Sequence, residues 1–596
     1  MDLVPATAAP PRPARRRWRR RPSLGLLLLC LVALVLFVWP VVMLAYGAFR
    51  SDAPGQPAHW TSAGLTGALT NPGVWTAFRN SLVISTVTML LSITVATYLA
   101  WLVTRTRTPL RQLVTPMAAL IFATPPLFLT LSWAMLGQQP NGLLNKALNA
   151  LIGVAPINAQ SWYGLIGAGV LGASAAQYLL LIGPFRALNP TLEEASLTCG
   201  ASRLVTFFRI ELPILAPSIL GVVILGFVLG MGLLTGPLIL GQPAGIYVLP
   251  TEVYRFINGF TPADYAGAST LALLLVAVVL VLVAAQSRFL GRRQFITVTG
   301  KATRREPLDI GRWRWFGAAS IVLYAIFGLL LPLGQFVLGS FQPYFGVYKG
   351  LTLDNYRAVF SAPGSGKSFT MTVIVAIVAG FVAATLGVIT SLVAQRSRSR
   401  WRKLPDTSIW VLWAVPGITL SLGLIWAYMS VPGLRQLYAT QWIVLIALII
   451  GVTPIATRAV SGSIAQIDVD LEAAARTSGA NAFQATAGIL VRLIAPSFLA
   501  SWFLAGVVAS GNLDVPILLA SPTNQTVPLL AFQYYNNGNL AQSAATFCLL
   551  LGGIAAVFVI GGLAGAASRA WRRHRFRPAR LQIDDRAGGG LDPSAA

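Results

Sequence analysis

Residues able to do chemistry are sparse in this 596-residue sequence, and most stand alone. Two histidines (His59 and His574) and three cysteines (Cys30, Cys199 and Cys548) are too few and too scattered for a Cys/His metal site or an expected disulfide. No cluster of His, Asp or Cys suggests an enzyme working at a membrane face. The stretch Ala362-Pro363-Gly364-Ser365-Gly366-Lys367-Ser368 imitates a phosphate-binding loop, but that motif needs Gly five residues before Gly366, and Ser361 stands there. The chain is therefore expected to carry no nucleotide site of its own. What does recur is a short acidic, small-residue segment. Its first copy is Glu193-Glu194-Ala195-Ser196-Leu197-Thr198-Cys199-Gly200-Ala201, and its second, 279 residues on, is Glu472-Ala473-Ala474-Ala475-Arg476-Thr477-Ser478-Gly479-Ala480. With Gly200 set on Gly479, Glu193 falls on Glu472, Ala195 on Ala474, Thr198 on Thr477, Ile210 on Ile489, Pro217 on Pro496 and Ser218 on Ser497, without a gap. The chemistry such a segment offers is docking. Carboxylates at the N-terminal end of a helix suit its dipole or meet cationic groups of a partner, small alanines allow close approach, and a glycine gives a tight turn or close backbone contact.

The elements that hold these segments are apolar. Hydrophobic residues make up 55% of the chain and charged residues 10%, with a mean hydropathy of +0.69. A soluble protein of this length cannot hide that much apolar surface. Twelve runs are long enough to cross a membrane as helices: roughly 24–48, 80–103, 113–136, 162–185, 215–241, 267–287, 316–340, 369–394, 407–430, 438–457, 497–520 and 544–568. They do not alternate, which argues against a β-barrel. The first run, with its basic flank, is longer than the apolar stretch of a signal peptide and reads as a retained span.

The net charge of +26 would fit nucleic-acid binding, but its distribution does not. With a cytoplasmic N-terminus and alternating spans, 36 of the 44 Lys/Arg fall on the cytoplasmic side. That is the positive-inside pattern, so the basic runs read as topology determinants beside anionic lipid rather than as a nucleic-acid surface. It places both termini in the cytoplasm.

The expected organisation is an all-α integral membrane protein of two six-helix halves. A basic tail (1–23) precedes a first half (24–290). A basic linker (291–315), a second half (316–568) and a C-terminal tail (569–596) follow. An even number of spans per half gives both halves the same orientation, so an axis along the membrane normal should relate them. Further correspondences are Asn80-Ser81-Leu82 with Ser368-Phe369-Thr370, Thr124-Pro125-Pro126 with Val415-Pro416-Gly417, and Gly236-Pro237-Leu238 with Val515-Pro516-Ile517. Prolines at membrane depth free backbone groups that neighbours or a cavity must satisfy. Pro237, Asn512, Asp514 and Pro516 are accordingly candidate pathway residues. Asp514 is either a pathway group or one paired with a polar neighbour; Thr235 at the matching place makes any acidic role one-sided.

The doubled segment resembles the EAA loop of type I binding-protein-dependent ABC importers. The pattern is carried by Glu194-Ala195, Gly200-Ala201, Phe207, Leu212-Pro213 and Pro217, and again by Glu472-Ala473-Ala474, Gly479-Ala480, Ile489 and Pro496. The second copy departs in having Val491-Arg492 where the first has Leu212-Pro213, which puts equal docking of the halves in doubt. The resemblance implies two coupling helices seated on a dimer of separate ATPase subunits, which hold ATP and Mg. It also implies a periplasmic or extracellular solute-binding protein, a bacterial inner-membrane location, and no catalysis by this chain. A single chain with both halves is similar to the iron(III)-type permeases, through Gly241-Gln242-Pro243-Ala244-Gly245-Ile246-Tyr247-Val248-Leu249-Pro250 and Ile296-Thr297-Val298-Thr299-Gly300-Lys301. Ferric iron is then the expected solute, with thiamine, a polyamine or a phosphonate-type solute as alternatives. A secondary transporter driven by an ion gradient is the rival class, and it would leave the doubled segment unexplained.

Overall fold

A computed structural model of the protein describes residues 23–188, 190–290, 309–397, 399–413, 415–468, 470–481, 484, 488 and 490–575. Among these, the structure is helical apart from turns and an isolated antiparallel bridge between Arg50 and Trp60. The first half contributes α1 (Leu24–Ala48), α2 (Pro72–Arg105), α3 (Arg111–Ala123), α4 (Pro126–Leu136), α5 (Trp162–Ala187), α6 (Pro190–Thr198), α7 (Phe207–Met231) and α8 (Tyr265–Leu290). The second contributes α9 (Trp313–Phe341), α10 (Ser365–Arg396), α11 (Arg400–Leu412), α12 (Gly417–Ser430), α13 (Gln441–Ala465), α14 (Asp470–Thr477), α15 (Val491–Ser510) and α16 (Leu540–Arg575). The chain divides into two units, Met1–Phe547 and Cys548–Ala596. The described part of the second unit is the C-terminal stretch of α16, where Val557, Val559, Ile560 and Leu563 are exposed.

Among the described residues, ten helices are long and apolar enough to span a membrane, and twelve spans result if each of two bent pairs counts as one. The bent pairs correct the expectation of continuous third and ninth spans. α3 and α4 meet at 96°, and α11 and α12 at 113°. The physical cause is proline. Pro125 and Pro126 lack N–H donors, as does Pro416, and a proline ring clashes with the preceding helical turn. Likewise the fifth and eleventh spans end at Met231 and Ser510, short of the expected 241 and 520, because a non-helical break follows each.

Local signals explain several boundaries. Asn71 caps α2, its Oδ1 accepting from the Gly73 N–H at 2.8 Å, with Pro72 in the first helical turn where no N–H is needed. α1 and α9 carry matching π-turns at Leu34–Val38 and Ile326–Leu330, just ahead of Pro40 and Pro332. A widened turn of this kind accommodates the missing donor of a proline inside a helix.

The halves are interleaved rather than side by side. α1 of the first half packs on α11 and α12 of the second, and α9 of the second packs on α3 and α4 of the first. Small residues allow the close approach: Gly423 lies against the Pro40 carbonyl, and Gly47 against the Trp426 ring, whose Nε1 donates to Ser269 Oγ at 2.9 Å. On the reciprocal side Phe128 stacks on Phe336 with ring centroids 4.3 Å apart, and Gly328 sits against Ile121. Each half thus clasps the broken helix pair of the other, which is why both belong to one compact unit.

A hydrogen bond made in the same way in each half sets the alignment of α2 with its counterpart α10. Ser81 Oγ accepts from the Leu249 N–H and Thr372 Oγ1 from the Val527 N–H, each at 2.8 Å. Ser81 therefore matches Thr372, three residues from the pairing of Asn80 with Ser368 that the sequence suggested. The same register places Arg105 on Arg396 and Pro125 on Pro416.

Candidate functional site

The repeated segments fold alike. α6 and α14 each end in a reciprocal pair of backbone hydrogen bonds. Gly200 N–H donates to the Leu197 carbonyl at 3.0 Å and Ala201 N–H to the Ser196 carbonyl at 3.1 Å; Gly479 N–H donates to Arg476 at 3.1 Å and Ala480 N–H to Ala475 at 3.0 Å. This is the Schellman ending, which needs a left-handed residue at its apex. Gly200 and Gly479 supply it with φ of +83° and +90°. Nothing lies within 4 Å of where a Cβ would stand on either glycine, so the glycines serve the turn and not close packing within the chain.

Glu194, Ala195, Gly200, Ala474 and Gly479 are exposed, and Ala201 and Ala480 are partly so. A feature the sequence reading missed is an exposed leucine at the same place in each helix, Leu192 at 48% and Leu471 at 45%. The side chains of Glu472 and Ala473, and Ile489 as a whole, lie outside the described residues. So does much of the turn between α14 and α15, where the departure at Val491-Arg492 was expected to matter.

Glu193 departs from expectation. It is 3% exposed, and its carboxylate lies 3.9 Å from Arg105 at the end of α2. Arg105 also meets Glu211 at 3.3 Å and donates to the Phe185 carbonyl at 3.3 Å. Glu193 therefore ties the repeated segment to the spans, and Glu194 is the carboxylate that faces outward. Sequence alone could not reveal this latch, because its members lie 88 and 106 residues from Arg105 along the chain.

At the centre of the molecule, positions related by the repeat touch each other. Thr235 Oγ1 donates to Asp514 Oδ1 at 2.7 Å, and these two residues are 279 apart, the spacing of the doubled segment. Residues equivalent in two halves can meet only close to the axis relating those halves. Two reciprocal contacts flank the pair. A Cβ on Gly232 would stand 2.9 Å from Pro416, and one on Gly511 2.5 Å from Pro125. The glycine ending each half's fifth span therefore abuts the proline that breaks the other half's third. Asn512 Oδ1 accepts from the Val515 N–H at 3.0 Å, closing the turn that carries Asp514, while Pro237 and Pro516 are buried as they start the short helical turns beyond. The four candidate pathway residues are thus gathered around this axis.

The sequence profile of the binding-protein-dependent transport system inner membrane component matches the chain twice, at residues 89–296 and 376–573. The protein belongs to this family. The two matched stretches are the two halves, so the chain is a fused two-half member and a multi-pass inner-membrane protein. It is 26% identical over 505 residues to the putative ferric transport system permease protein FbpB 1 of Haemophilus influenzae, covering 83% of this chain and 77% of that protein. It is 25% identical over 434 residues to the ferric transport system permease protein FbpB of Actinobacillus pleuropneumoniae, covering 72% and 62%. A putative 2-aminoethylphosphonate transport system permease protein, PhnV of Salmonella paratyphi A, is 25% identical over 238 residues, covering 39% of this chain and 88% of its own. In this permease family, then, similarity reaches proteins named for chemically different solutes.

Proposed function

We propose that the chain forms the translocation path of an ATP-driven importer, with α6 and α14 as coupling helices for a pair of separate ATPase subunits holding ATP and Mg. The observation that carries this reading is the repetition. Two short helices end in the same glycine turn, present an exposed leucine at the same position and occupy the same place in each half. A solute-binding protein outside the membrane delivers the solute, both termini are cytoplasmic, and the chain itself performs no catalysis. Conversion between inward- and outward-facing states works on the axis where Thr235 meets Asp514 and the glycine–proline contacts meet, since that is where the halves can separate. The rival, an ion-coupled transporter, leaves the paired helices without a role.

Ferric iron is the first solute to test, supported by the names of relatives matched over most of this chain. Thiamine, a polyamine and a phosphonate remain alternatives. The experiment is uptake by proteoliposomes containing the permease, the ATPase and the binding protein encoded beside it, with and without ATP. Gly200→Arg and Gly479→Arg should each abolish ATP-dependent uptake and ATPase co-purification while membrane insertion persists. Normal uptake by both variants would refute the coupling assignment, and uptake indifferent to ATP would favour the ion-coupled class.

A further inference from the structure

Beside the axis, inside the first half, lies a cavity of about 310 Å³. It is walled by α2, the α3–α4 break, α5, α7 and the turn after α7, and it reaches Thr124, Pro126 and Gly236 next to the axial contacts. Its size sits at the lower end of small-molecule sites. Most of the wall is apolar, but three polar groups converge on it without a hydrogen-bond partner: Ser85 Oγ, Thr88 Oγ1 and Gln177 Oε1. Ser85 is 3% exposed and Gln177 4%. Ser85 and Thr88 are three residues apart on α2, hence on one face. Leaving such groups unsatisfied within a membrane is costly, and they are retained where they meet water or a ligand. Glycines make the room. A Cβ on Gly226 would stand 2.8 Å from Gln177 Nε2, one on Gly230 3.3 Å from Ser85 Oγ, and one on Gly169 3.1 Å from the Thr88 methyl.

The second half shows what the fold looks like without this feature. The register set by Ser81 and Thr372 puts Ala376 and Ala379 in place of Ser85 and Thr88, and the 279-residue repeat puts Ala456 in place of Gln177. All three polar groups are alanine there. Gly506 of α15 packs directly on the Ala376 carbonyl, and Ala379 and Ala456 are fully buried. The same framework thus closes when it carries alanine, so the polar chamber is a feature of one half and not a by-product of the architecture.

We infer that this chamber is a solute site for a small net-neutral polar molecule, a hydroxylated or zwitterionic compound, recognised by Ser85, Thr88 and Gln177. Two hydroxyls and a carboxamide can donate to and accept from such a solute. No ionised side chain lines the chamber. A bare cation, ferric ion included, would find no anionic oxygen ligand, and any unpaired charge would carry a large desolvation cost. The inference deepens the importer reading and rests on it for direction of transport, though not for binding itself.

The test is equilibrium binding to the purified full-length permease in detergent, without ATPase or binding protein. The radiolabelled probes are glycine, serine, glycerol, inorganic phosphate and ferric nitrilotriacetate. At least one of the three organic probes should bind, and the triple variant Ser85→Ala, Thr88→Ala, Gln177→Ala, which copies the second half, should weaken binding at least tenfold. The triple variant should still unfold cooperatively and remain monodisperse in detergent, so that a loss of binding reports the site and not the fold. Ala173→Phe, which fills the chamber and keeps the polar residues, should also abolish binding. Absence of binding by all three organic probes, binding unaffected by the triple and filling variants, or preference of the chamber for phosphate or ferric ion would each overturn the inference. These outcomes are independent of ATPase coupling, so failure here leaves the importer assignment standing and the reverse also holds.

Discussion

The two halves share one framework but differ at a buried position behind their repeated segments. In the first half Arg105 bridges Glu193 on α6 and Glu211 at the start of α7, with all three side chains buried. In the second, Arg396 takes the place of Arg105 and donates to the Ile467 carbonyl at 3.5 Å, while Leu490 takes the place of Glu211. Leu490 is 2% exposed and packs with Val460, Ile464 and Ile494. The residues matching that cluster in the first half are Leu181, Phe185 and Leu215, which are equally buried. Glu211 is thus a carboxylate set where the other half has a core leucine. Duplication preserves the turn that shapes the segment, while the position behind it carries a carboxylate in one half and a core leucine in the other.

The sharpest way to break this comparison is Arg105→Met. It strands two buried carboxylates, and removing one partner of a buried ion pair costs about 3–5 kcal/mol. Thermal unfolding of the purified permease should show a large drop, restored in good part by adding Glu193→Gln and Glu211→Leu. If Arg105→Met alone is neutral, the latch has no structural weight.

The axial contact offers a second test. A hydrogen bond to a carboxylate contributes about 1.5–3 kcal/mol, so a double-mutant cycle of Thr235→Val with Asp514→Asn should show coupling of that order in stability. Strictly additive effects would mean that the halves do not meet there. Gly200→Ala and Gly479→Ala each place a side chain in the left-handed region, at about 1–2 kcal/mol. Their effects on ATPase co-purification should be nearly equal, because both glycines sit in the same turn with open space around them. A clear inequality would show that the attachment and not the turn governs docking. Glu211→Leu, which copies the second half and leaves Arg105 the Glu193 carboxylate, should lower the thermal unfolding temperature by less than Arg105→Met does. A collapse of uptake in that variant would show that Glu211 is required for coupling.

Much of this was legible in the sequence. The spans, the repeat and the glycine turns are written in local pattern: run length, spacing and the lone residue type that tolerates positive φ. The proline breaks were visible as well, although not their angle of 96° and 113°, which depends on what each helix pair packs against. Glu193 was misjudged for a physical reason. A glutamate at a helix start is ordinarily solvated, and nothing near it in the chain announces an arginine held under it by a different helix. Asp514 stood out as an intramembrane acid with Thr235 at the matching place, yet that the two are hydrogen-bonded partners follows only from how the halves meet.

By itself, then, the sequence determined the class, the rough length and placement of the membrane helices, and the position of the repeated glycine turns. These follow from transfer energies and backbone sterics that act over a few residues. Tertiary structure alone decided which helices clasp the opposite half, which carboxylate is buried and which faces outward, and that residues 279 apart meet at the axis. It also decided that one half has a largely apolar cavity with unpartnered polar groups, while at the matching place in the other Gly506 packs on Ala376. Those outcomes depend on whether residues distant in the chain fill or leave a shared space, and no local pattern encodes that.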